Sequence, residues 1–93
     1  MKIVNLAFKQ TLVSLAGNPF GKKTFEEQVK PYLKEETDFC IIFPDHIEMI
    51  ASSFVQGFFA YWLNSLGIDG VFRHIKVQAR NEDIVKRVYD NLL

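Results

Sequence analysis

The chain has 93 residues, 48% hydrophobic and 14% aromatic, with eleven basic and eleven acidic side chains that cancel. That length makes one domain with a core of its own, and so much apolar surface excludes a disordered chain. Zero net charge argues against a general nucleic-acid binder, whose affinity rests on neutralising phosphates, and it leaves copies of the chain little mutual repulsion.

Cys40 is the only cysteine, so no internal disulfide and no cysteine zinc site is available. It lies in an apolar run and reads as a buried structural thiol. Met1 to Leu6 lacks the pattern of a signal peptide. The most apolar stretch, Ile47 to Leu66, is interrupted by Glu48, Ser52, Ser53, Gln56, Asn64 and Ser65. It falls short of the roughly 20 apolar residues a membrane span needs. The expectation is a soluble, cytoplasmic protein that makes no membrane contact.

Lys2 to Phe8 alternates with apolar residues on both sides, which suits a strand covered on both faces. Lys9-Gln10 then turns the chain into a short strand over Thr11 to Leu15, so a hairpin is expected. Ala16 to Lys23, with two Gly and an Asn-Pro, reads as a surface loop. Its Gly17…Gly21-Lys22-Lys23-Thr24 run is one residue short of a phosphate-loop spacing, so an anion site is the alternative. Thr24 with Glu27 has capping-box spacing. Phe25, Val29, Tyr32 and Leu33 then form the stripe of a helix to about Glu36, which Pro31 either kinks or splits in two.

Phe39 to Phe43 is continuously apolar and predicts a central, parallel strand, ended by Pro44-Asp45. His46 to Ala51 is a loop or short strand. Ser53 with Gln56 predicts a second capping box, opening a helix that runs to Leu66 and stops at Gly67. Its apolar arc is wider than a surface helix needs. Either the arc packs in the core, or part of it (Phe58, Tyr61 or Trp62) meets another chain. Ile68 to Val71 reads as a turn. Phe72 to Ala79 reads as a strand with Arg73, Ile75, Val77 and Ala79 facing inward. Asn81 is the expected N-cap of a last helix, with Glu82 and Asp83 in its first turn and Ile84, Val85, Val88 and Leu92 as its stripe.

The order β, β, α, β, α, β, α predicts an α/β fold: one domain over residues 1–93, with a mixed, mostly parallel sheet of four to five strands and about three helices.

Cys40-Ile41-Ile42, then Ile47-Glu48-Met49-Ile50-Ala51-Ser52-Ser53-Phe54, then Phe59 and Asn81-Glu82-Asp83-Ile84, carry a resemblance. On these residues the chain from Phe39 to Leu93 resembles the STAS-like family of unknown function (DUF4325) of bacteria and phages. Such proteins are similar in fold to the STAS domains of anti-sigma factor antagonists. The resemblance implies a bacterial or phage regulatory module that is not an enzyme. It implies a kinase-like or other protein partner bound at the start of the Ser53 helix, and a switch by phosphorylation of a serine there. Ser53 would be that serine and Ser52 its neighbour, with Phe54, Gln56 and His46 in the partner-binding surface. Where the antagonists carry Asp before the serine pair and Gly after it, this chain has Ala51 and Phe54.

Neither His46 nor His74 lies at metal-ligand spacing with Asp, Glu or Cys, and no cofactor is expected. His74, Lys76 and Arg73 with Phe72 read as a solvated strand face, with a small nucleic-acid patch as the alternative. Two further readings stand beside the interaction module. One is a small homo-oligomer, nucleic-acid-associated or phage-related, whose aromatic helix or edge strand forms the interface. The other is an enzyme that uses Asp45 and His46 with Ser52 and Ser53.

Overall fold

Three strands form the central sheet: β1 (Lys2–Asn5), β3 (Phe39–Ile42) and β5 (Ile75–Gln78), in the order β1-β3-β5 and all parallel. The computed structural model describes residues 1–93. The apolar run beginning at Phe39 takes the middle place, as its pattern requires. A second sheet pairs β2 (Ser14–Leu15) with β4 (Met49–Ile50), again parallel. The five strands are therefore split three and two, and the single sheet of four to five strands is not formed. No pair is antiparallel, so the sheets are not mixed and the expected β1–β2 hairpin is absent. Lys9 to Leu12 closes a turn (Leu12 N–H to Lys9 O, 2.9 Å), after which Val13 O accepts from Glu48 N–H at 2.7 Å. Backbone pairing with a segment far along the chain displaced the local hairpin.

Helix α1 (Asn18–Gln28) has its N-cap at Gly17, seven residues before the Thr24 that the capping box suggested. Pro19 sits in the first turn, where its missing N–H costs nothing. Thr24 is inside the helix and buried, and its hydroxyl donates to Phe20 O at 2.9 Å, so it caps nothing. The loop expected over Ala16 to Lys23, with its anion site, is thus mostly the first turns of α1. Pro31 lies in a separate 3-10 turn, Lys30–Tyr32, which is the two-piece outcome.

Helix α2 (Ser52–His74) consists of two helical runs joined at Gly67, whose φ of 72° is left-handed. Gly67 ends the first run as expected. The chain then resumes helix through His74 where a turn and the start of a strand were expected, and β5 begins only at Ile75. Of the four residues the alternation placed inward, Ile75 and Val77 are buried and Ala79 is half-buried, whereas Arg73 falls in the helix and is exposed. Helix α3 (Glu82–Asp90) is capped as expected: Asn81 Oδ1 accepts from Ile84 N–H at 3.0 Å.

The β1→β3 and β3→β5 crossovers step the same way across the sheet, so crossovers of one hand put α1 and α2 on one face. There they cross backbone to backbone. A Cβ on Gly21 would lie 2.3 Å from Phe54 O, and one on Gly57 2.1 Å from Asn18 O. Beneath the crossing, Phe25 meets Phe58 and Trp62 with ring centroids 5.8 and 4.9 Å apart, and Phe39, Phe43, Phe54 and Phe59 complete the aromatic core. On the other face the two outer strands are wet, with Asn5, Lys76 and Gln78 exposed and Ile3 exposed at 57%, while between them Cys40 of β3 is buried and Ile42 half-buried. The expectation that β1 is covered on both faces is corrected there. Helix α3 closes the free edge of β5, where the Tyr89 hydroxyl accepts from Val77 N–H (3.0 Å) and donates to Ile75 O (3.3 Å). No helix is long and apolar enough to cross a membrane.

Candidate functional site

The short β2–β4 pair sets the geometry of the candidate site. Each of these strands runs directly into a helix, β2 into α1 and β4 into α2. Because the strands are parallel, both helices start at the same end of the pair. Ala51 N–H donates to Leu15 O at 2.8 Å and locks the two approaches together.

The N-cap residues are Gly17 for α1 and Ala51 for α2, and neither helix has a side-chain cap of its own. The Ser53–Gln56 capping box does not form. Ser53 Oγ instead accepts from Gly17 N–H at 2.9 Å, across 36 residues of sequence. Ser53 therefore bridges the two helix starts. Neither first turn contains an acidic residue, whereas α3 has Glu82 and Asp83 in its own. Two uncompensated positive dipole ends thus converge at Ser52 and Ser53, both exposed.

The remaining residues separate into those on the surface and those beneath it. Gln56 is exposed. Phe54 is fully buried, with its ring 5.4 Å from Phe20 and 5.9 Å from Phe58. It anchors the start of α2 and offers a partner nothing. Phe58 and Trp62 are buried as well, so the arc of α2 is wide because it packs under α1 and over the sheet. Of the three aromatics named as interface candidates only Tyr61 reaches solvent, 51% exposed and stacked on Phe25 at 5.6 Å.

His46 is half-buried, and its Nε2 donates to Lys9 O at 3.0 Å. It fastens the β1–β2 connection beside Asp45, and no hydrogen bond joins it to Ser52 or Ser53. No group of three or more His, Cys, Asp or Glu side chains is placed to hold a metal ion. Cys40 is buried and free, and His74 Nδ1 is 2.6 Å from Asp38 Oδ1.

Beside Ser52 the surface dips into a depression of about 400 Å³ between the start of α2 and the end of α3. Met49, 54% exposed, lines it together with Arg87 and Asp90. Sequence reasoning missed Arg87, took Gly17 only for part of a loop or anion site, and gave Met49 no surface role. Met49 stands in the exposed phase of a two-residue strand, a pattern too short to read. Nothing near Arg87 in sequence points to β4. No protein family, curated protein or solved structure matches the chain.

Proposed function

We propose that this chain is a non-enzymatic, STAS-like regulatory module that binds a protein partner through the start of α2 and the surface beside it. The observation that carries this reading is the Ser53–Gly17 hydrogen bond. It makes one exposed hydroxyl common to two helix starts, so a change at that atom is felt by both. The depression beside it offers a partner Met49 as an apolar contact, and Arg87 with the positive end of α2 for an acidic side chain, its own Asp90 being paired with Lys86 at 2.8 Å.

The same chemistry supports a switch. A phosphate on Ser53 would bring about −1.5 to −2 charges to the helix ends. It would gain N–H and dipole contacts there, displace the Gly17 bond, and repel the acidic group a partner would otherwise place on this surface.

The test is an affinity capture from lysate of the native cell with three forms of the protein: wild type, Ser53→Asp, and Asn64→Asp. Asn64→Asp puts the same charge at an exposed site further along α2. Circular dichroism checks that all three are folded. The expected result is one specific protein held by wild type and Asn64→Asp and lost by Ser53→Asp. Equal capture by all three, or by none, rejects the reading.

A further inference from the structure

We propose that the open edge of β1 is a strand-addition interface that takes β1 of a second copy of this chain. The strands pair antiparallel about a two-fold axis at Val4, and two three-stranded sheets become one of six.

The backbone phase defines the edge. Lys2 N–H donates to Asp38 O and Leu6 N–H to Ile42 O, both at 2.9 Å, so the even-numbered groups of β1 face β3. By alternation the N–H and C=O groups of Ile3, Asn5 and Ala7 face away. At Ala7 the edge is closed by Gln28, whose Oε1 accepts from Ala7 N–H (2.8 Å) and whose Nε2 donates to Ala7 O (2.9 Å). The side-chain amide takes the place of a neighbouring strand. Ile3 and Asn5 have no such partner. The opposite edge, β5, is closed by Tyr89. One open edge on an otherwise closed sheet is a template for strand pairing.

Self-complementarity selects the occupant. With Val4 on the axis, Ile3 faces Asn5 of the second copy and exchanges both backbone bonds with it, and Asn5 faces Ile3 likewise. All four outward residues of the two edges are then paired, and Gln28 stops the register at each end. The flanking charges fit the same axis. Lys2, at the N-terminal end of β1, lies over the Tyr32 ring at 4.2 Å. Glu27 is exposed on the groove of about 260 Å³ beside β1, next to the Gln28 that reaches Ala7 at the C-terminal end. Neither Lys2 nor Glu27 has an ion-pair partner within the chain. The two-fold axis brings Lys2 of each copy to Glu27 of the other. Pairing also covers Ile3, the exposed apolar side chain of this edge. The interface uses no residue of the Ser53 surface, so its fate and that of the docking reading are independent.

Sedimentation equilibrium over a wide concentration range tests the proposal on wild type, Asn5→Pro, Lys2→Glu, and Lys2→Glu with Glu27→Lys. Proline at position 5 removes an outward N–H and no bond to β3, a substitution edge strands tolerate. Wild type is expected to dimerise reversibly. Asn5→Pro should weaken the dimer about thirtyfold, through one donor lost from each copy, and keep the wild-type melting point of the monomer. Lys2→Glu should weaken it too, and Glu27→Lys added to it should restore it. Wild type that remains monomeric throughout overturns the proposal and leaves the edge to a foreign strand. A dimer undisturbed by Asn5→Pro, or a charge reversal that restores nothing, also overturns it. If Asn5→Pro fails to fold, the charge pair decides alone.

Discussion

The α1–α2 crossing and the β1 edge are built in opposite ways. At the crossing, backbone meets backbone: Gly21 lies against Phe54 O and Gly57 against Asn18 O, with room for no further atom. Every buried polar side-chain atom of the protein has a partner. At the β1 edge, backbone groups of Ile3 and Asn5 are left to water, next to an apolar side chain that is more than half exposed. The first arrangement holds the monomer together. The second contributes little to it and remains available for association.

The largest way to break that contrast is Gly57→Ala. The new methyl would sit 2.1 Å from a carbonyl oxygen, a backbone atom that no rotamer change can clear. The two helices must part, at a cost of about 3 kcal/mol, read as a lower urea midpoint. A full wild-type midpoint would show that the crossing tolerates slippage and that the contrast is wrong.

Tyr89→Phe sharpens the comparison by opening the closed edge. It leaves Val77 N–H without its acceptor, at a cost of about 1–2 kcal/mol. Tyr89 also gives the fold a pH dependence. Burial pushes its phenol above the ordinary value, and the hydrogen bond from Val77 N–H offsets this in part. The folded chain therefore holds the phenolic proton at pH values where the unfolded chain has released it. This contribution is complete below about pH 10 and is lost as the pH rises through the folded value. Wild type should lose stability above about pH 10 more steeply than Tyr89→Phe. Parallel alkaline melting curves would contradict the assignment.

The smallest effect expected is that of Ser53→Ala. It removes the acceptor of Gly17 N–H in an exposed pair, so it should cost about 0.5–1 kcal/mol and leave the secondary structure intact. Amide exchange should rise at Gly17 and not in α3. A rise spread over the whole chain would mean that Ser53 holds the fold rather than joining two helix starts.

The features legible in the sequence are those set by neighbours a few residues away. The unbroken apolar run from Phe39 made a central parallel strand. Alternation placed Ile75 and Val77 inward, Asn81 capped α3, and Gly67 ended the first run of α2. Three or four residues decide each of these, through side-chain phase, one hydrogen bond or one φ angle.

What was not legible depends on partners far along the chain. The Gly and Pro of residues 17 to 21 look like loop residues. Gly21 is there because Phe54 O occupies the space of its side chain, and Pro19 because a first helical turn accepts it. Ser53 has the spacing of a cap for its own helix, yet it bonds Gly17, because the pairing of β2 with β4 brings the two helix starts together. Arg87 meets Ser52 across a depression that no local pattern records.

By itself, then, the sequence determined the α/β class, the apolar centre and, of its three expected N-caps, the one at Asn81, since these follow from local periodicity and hydrogen-bond geometry. Only the tertiary structure decided which strands pair, which serine joins which helix and which edge stays open. Those outcomes rest on backbone groups and contacts between distant segments, and side-chain patterns do not encode them.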